Sequence, residues 1–127
     1  MNTALHSELN GQIPADYLEK IEKGLKEDRL ETSFLYLFDL LMRIFSVRLE
    51  SINPGVGLPG DAAIIETLYR AGKLSAEAFR DINQFLETNN QIVHNLRTNI
   101  SRESIERLIS YITWAEKAKD PTPIPRP

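Results

Sequence analysis

A chain of 127 residues with 42% hydrophobic and 26% charged side chains is long enough for one domain with a real core, and its composition is ordinary for a globular protein. Its 15 basic and 18 acidic residues leave a net charge of −3, so no global field draws it to nucleic acid or to an anionic membrane, and RNA contact would need a local patch. With no cysteine, disulfides, thiolate metal ligands and cysteine nucleophiles are excluded, and His6 and His94 as the only histidines exclude a histidine-rich metal centre.

Residues 1–13 form an N-terminal segment without the basic and apolar regions of a secretion signal, which makes the cytoplasm the default location. A single domain is expected over 14–119. The first helix opens near Pro14, a favoured first helical residue, carries an apolar stripe of Tyr17, Leu18, Ile21 and Leu25, and ends near Arg29. Thr32 or Ser33 is expected to cap a second helix that runs to about Ser51. Its run from Phe34 to Leu49 is too short and too charged to cross a membrane, with Asp39 and Arg43 spaced to pair one turn apart. Phe34, Leu35, Leu37, Phe38, Leu41, Met42, Ile44, Phe45 and Leu49 surround most of this helix. Such a helix is either central in its own bundle or shared with a second subunit. In so small a domain the second option is expected, a homodimer with Phe34, Phe38, Leu41 and Phe45 at its interface.

A loop follows at 53–60. Asp61 is expected to cap a short third helix through Ile64, Ile65, Leu68 and Tyr69, closed by Gly72. Ser75 caps a fourth helix over about 76–97, with a seam of Phe79, Ile82, Leu86, Asn89, Val93, Leu96 and Ile100. Ser101 caps a fifth, with a stripe of Ile105, Leu108, Ile109, Ile112 and Ala115. Residues 120–127 hold Pro121, Pro123, Pro125 and Pro127 and cannot be helical; they are expected to be extended or disordered, and although such a tail can present a polyproline II ligand it reads as a simple terminus with no assigned role. The fold class is all-α, an up-and-down bundle of four to five helices.

Gly55-Val56-Gly57-Leu58-Pro59-Gly60 matches the letters of a dinucleotide-binding loop, but no strand precedes it and Pro59 removes an amide, so it reads as a connector. The polar signal is on the fourth helix. Asn83, Asn90 and Arg97 are spaced by seven, as are Glu87 and His94, which makes a polar strip beside the apolar seam. His94 is the side chain suited to acid–base work near neutral pH; the alternative is a histidine packed partly in the core and hydrogen-bonded to Asn90 or Glu87. Asn89 is polar at a seam position, either to fix register at an interface or to share a pocket with His94. Arg97, Arg102 and Arg107 interleave with Glu103 and Glu106 and read as a salt-paired surface.

The order of these features over about 34–116 resembles the HEPN superfamily: a long apolar helix, a short helix ending in Leu68-Tyr69-Arg70-Ala71-Gly72, a helix finishing in Asn90-Gln91-Ile92-Val93-His94, and a last amphipathic helix opening at Ser101. In that family the motif is Arg-Asn-x-x-x-His; Asn90 and His94 match it, and Asn89 stands where the arginine would be. The resemblance implies a four- or five-helix bundle, dimeric, with the motifs of two subunits facing each other. Active members are metal-independent ribonucleases whose arginine and histidine act on the phosphodiester. An asparagine brings no charge to an anionic transition state, and losing such an element costs about 10²–10³ in rate. The leading expectation is therefore a non-catalytic, HEPN-like homodimerising module that binds a protein, RNA or nucleotide partner, in a toxin–antitoxin or defence context, without a cofactor or metal. The alternatives are a metal-independent ribonuclease using His94 with Arg97 or Arg80, and a generic helical adaptor.

Overall fold

The computed structural model describes residues 15–27, 29–52, 60–94 and 99–117. They form five helices, α1 (Ala15–Lys26), α2 (Leu30–Ile52), α3 (Asp61–Arg70), α4 (Ala76–Val93) and α5 (Arg102–Lys117), and the architecture is an all-α bundle. None of these helices is long and apolar enough to cross a membrane. The N-terminal segment 1–13, the loop at 53–59, Arg97 and the proline-rich tail lie outside the described residues.

The apolar circumference of α2 is explained inside one chain. α2 packs against each of the other four helices, so it is the central member of the bundle. Phe34, Phe38, Leu41 and Phe45, expected at a subunit interface, are all buried in the chain's own core. They therefore do not form a docking face: four neighbouring helices are enough to cover one long one. The part of α2 left in water is a narrower strip that includes Val47, while Ile44 and Tyr36 are half-covered.

Helix ends follow from local chemistry. Ser75 caps α4, its hydroxyl accepting from the Ala78 amide at 3.1 Å, and Ser101 does the same for α5 through the Ser104 amide at 3.0 Å. Gly72 adopts φ +76°, its amide donating to Tyr69 O while the Lys73 amide donates to Leu68 O. This is a Schellman closure of α3, and a β-carbon at Gly72 would be strained there. Two expected caps differ. α3 has Gly60 in the cap position with Asp61 as its first helical residue, and α2 begins at Leu30, so Thr32 and Ser33 lie within its first turn.

The early start of α2 brings it tightly against α1. A β-carbon on Gly24 would meet Ser33 Oγ well inside van der Waals distance, whereas Arg29 O and Ser33 Cβ would be at 3.5 and 3.7 Å. Ser33 is fully buried and its hydroxyl has no hydrogen-bond partner among the described residues. Gly24→Ala alone should therefore cost about 1–3 kcal/mol through overpacking. Ser33→Ala removes an unsatisfied hydroxyl and should be neutral or mildly stabilising. Adding Gly24→Ala to Ser33→Ala should then raise stability by about 0.5–1 kcal/mol, because alanine is the better helix former. Urea unfolding of the four proteins measures this reversal of sign, and a Gly24→Ala penalty that survives in the double variant would refute the contact.

Two arginines tie helix ends together. Arg48 donates to Ala115 O at 2.9 Å, and Arg102 donates to Leu25 O at 3.1 Å, each satisfying a carbonyl of a last helical turn. These contacts place the end of α5 beside the end of α2, and the start of α5 beside the end of α1. The Asp39–Arg43 pair forms at 3.1 Å on exposed surface.

Asp61, half-buried at the start of α3, has a pKa raised above the ordinary 3.8, first by burial and then by the Asp39 carboxylate. The folded chain thus holds a proton on Asp61 more readily than the unfolded chain. Stability falls as pH rises from 3.8 through the raised value, and stays at the lower level above it. Asp61→Asn should melt at a higher temperature than wild type at neutral pH, with a gain that shrinks as pH is lowered to 3.8. A gain independent of pH would assign the effect to something other than this carboxylate.

Candidate functional site

α4 presents three faces. Ala78, Ile82 and Phe85 point into the core, one step away from the expected seam of Phe79, Ile82, Leu86, Asn89 and Val93. Phe79, Leu86 and Ile92 flank that core and are half-covered, Asn89 is likewise half-buried, and Val93 is 60% exposed. The outward face carries Arg80, Gln84, Glu87, Asn90 and His94, all exposed, with Asn83 half-buried among them.

The upper part of that face opens into a groove of about 490 Å³ between α3 and α4, lined by Tyr69, Ala76, Phe79, Arg80, Asn83, Gln84 and Glu87. Its aromatic element is a stacked pair, Tyr69 on Phe79, with centroids 4.1 Å apart and planes 14° from parallel. Tyr69 remains 38% exposed, so the pair is not sealed into the core. Asn83 Nδ2 donates to Phe79 O at 2.9 Å, which fixes the amide over the helix and leaves its side-chain oxygen and second N–H for other contacts. Arg80 and Glu87 bring opposite charges, so the groove has no net sign.

Of the polar strip, Asn83 and Glu87 line the groove, while Asn90 and His94 do not: the lining stops at Glu87. α4 ends at Val93, four residues short of the expected Arg97, and His94 occupies the C-cap, its backbone amide donating to Asn90 O at 3.1 Å. The imidazole is exposed, which corrects the reading of a histidine packed in the core. Among the described residues the side chains of Asn90 and His94 make no hydrogen bond. Arg80 stands fourteen residues before His94, roughly 21 Å along a helix axis, so within one chain they cannot act on one phosphate. No three His, Cys, Asp or Glu side chains among the described residues are grouped as a metal site requires.

Of the expected salt-paired surface, Arg97 lies outside the described residues and the other two arginines bind elsewhere in the fold. Arg102 caps α1, and Arg107 pairs with Asp81 at 3.0 Å rather than with Glu103 or Glu106. Tyr69, Phe79 and Gln84 were missing from the sequence-derived site, and Arg80 entered it only as a phosphate contact of the ribonuclease alternative. Arg80 and Gln84 share the helix face of Asn83 and Glu87, so spacing alone could have added them; Tyr69 comes from another helix, and no spacing rule reaches it. No protein-family model matches this chain, and comparison with curated proteins and with solved structures gives no significant match.

Proposed function

We propose that this chain is a non-catalytic, HEPN-like helical module that pairs with a second copy and binds a macromolecular or nucleotide partner through the outward face of α4. The observation that carries this reading is the separation of the groove from His94. The concave, aromatic-floored part of the face holds Asn83 and Glu87 but no acid–base group suited to neutral pH. The one histidine of the strip lies beyond it and is exposed. A recognition surface fits this layout better than a hydrolytic centre. With Phe34, Phe38, Leu41 and Phe45 internal, self-association would use the exposed end of α4, where Val93 adds apolar area beside Asn90 and His94.

The test is cleavage of end-labelled RNA without added metal, comparing wild type with His94→Ala over a protein titration. Neither protein should cleave, and wild type should have the solution mass of a dimer at micromolar concentration. Cleavage lost on His94→Ala would instead make the chain a ribonuclease, and a one-chain mass would remove the pairing.

A further inference from the structure

The groove between α3 and α4 carries its charges in an order, and that order selects among ligands. We propose that its occupant is an extended segment of a partner protein, with an acidic and a basic residue one polyproline II turn apart and an apolar side chain beside the acidic one. The inference rests on the α4 face being a binding surface.

Arg80 and Glu87 lie on one helix, about 10.5 Å apart along its axis. Both are exposed, and among the described residues neither takes part in an ion pair, so the groove presents one charge of each sign to a ligand. The stacked Tyr69–Phe79 pair lies at the Arg80 end, and the side-chain amides of Asn83 and Gln84 stand between the charges. A chain in polyproline II form returns to the same face after one turn, about 9.3 Å, which long side chains extend to the spacing of Arg80 and Glu87. A carboxylate on that face then meets Arg80 while an ammonium or guanidinium meets Glu87. Between them Asn83 keeps its side-chain oxygen and second N–H after its bond to Phe79 O, the acceptor and donor that peptide backbone requires. The side chain beside the carboxylate lands on the aromatic pair.

Other ligand classes match less of this. A nucleic-acid strand repeats one charge, so what it gains at Arg80 it loses at Glu87, on a chain whose net charge is already −3. A small molecule is held mainly by enclosure, and this groove is open to solvent.

The test is selection from a random peptide library displayed on phage, with the full chain as bait. Wild type should enrich peptides in which acid and base are one polyproline II turn apart and an aromatic or aliphatic residue adjoins the acid. Arg80→Glu should weaken binding of a selected synthetic peptide about tenfold or more in fluorescence anisotropy, and lysine in place of the peptide's acid should restore it. Arg80→Glu combined with Glu87→Lys keeps the groove neutral and should enrich the opposite arrangement, with the apolar residue beside the base. Both positions are exposed, so these variants keep the fold. A library without enriched sequences, or enriched peptides indifferent to both substitutions, overturns the proposal. Single-stranded RNA binding that is lost on Arg80→Glu, with no peptide enriched, overturns it too and gives the groove to nucleic acid while the α4 face remains a binding surface. Indifference of both peptide and RNA to these substitutions removes that binding surface itself, so the two failures are distinct.

Discussion

Phe34→Ala should lower the stability of the folded chain by about 3–5 kcal/mol, on the order of 10–20 °C in melting temperature. Phe34 is 1% exposed; its ring lies parallel to Phe38 at 6.3 Å and meets the edge of Phe85 at 6.0 Å. Phe85 in turn meets Tyr111 edge-on at 6.0 Å, so one ring on α2 is joined through α4 to α5. Truncation leaves a cavity at the junction of three helices, in a domain whose whole stability is of the order of 5–15 kcal/mol. The same substitution separates the two origins of an all-round apolar helix. A residue at a subunit interface would yield a folded single chain whose melting no longer depends on protein concentration. A core residue yields a destabilised chain at every concentration. The second result is expected, from thermal melts monitored by circular dichroism over a hundredfold range of concentration. A stable, well-folded monomeric variant would return Phe34 to an interface.

The difference between those outcomes marks where the sequence was legible. Residue chemistry at the ends of helices acts locally, which is why Ser75, Ser101 and Gly72 could be assigned from their neighbours alone. The start of α2 was misplaced because Thr32 and Ser33 are good caps in isolation. The packing of Ser33 against Gly24, nine residues earlier, depends on how α1 and α2 cross. The apolar count of α2 was right, but its meaning depended on how many helices surround it, which no single helix discloses. On α4 the steps of three and four led to Phe79, Leu86 and Val93. These lie along one edge of the helix, and the core instead takes Ala78, Ile82 and Phe85. An alanine four residues before Ile82 and a phenylalanine three after it fit helical periodicity equally well, so pattern alone could not choose. Asn83 and Glu87 were found because they share a face, and Tyr69 was not, because the groove exists only where α3 lies against α4.

Asp81 shows the same limit and leads to the last expected result, a loss of about 2–3 kcal/mol on Asp81→Ala. In the sequence it is one acid among eighteen. In the fold its side chain is only 14% exposed; Oδ2 accepts from the Tyr111 hydroxyl at 2.7 Å and Oδ1 pairs with Arg107 at 3.0 Å. The Arg107 guanidinium also lies 5.7 Å over the Phe85 ring. The two bonds differ in weight. Arg107 is 38% exposed and can turn to water when its partner is removed, so that pair adds little. Tyr111 is 1% exposed, and its hydroxyl would be left without this acceptor inside the bundle, which is where most of the cost arises. Tyr111→Phe removes the donor instead and leaves Asp81 paired with Arg107, so it should cost only about 1 kcal/mol. The double variant should therefore be less destabilised than the sum of the two, with a coupling of about 1–2 kcal/mol. The consequence reaches the groove, because these side chains join α4 to α5 while α2 packs against both. Amide exchange along α4 should accelerate more in Asp81→Ala than exchange along α1, as the helix loses its hold on one neighbour only. Additive losses, or exchange that quickens uniformly through the bundle, would show that the carboxylate does not act as the clasp between α4 and α5.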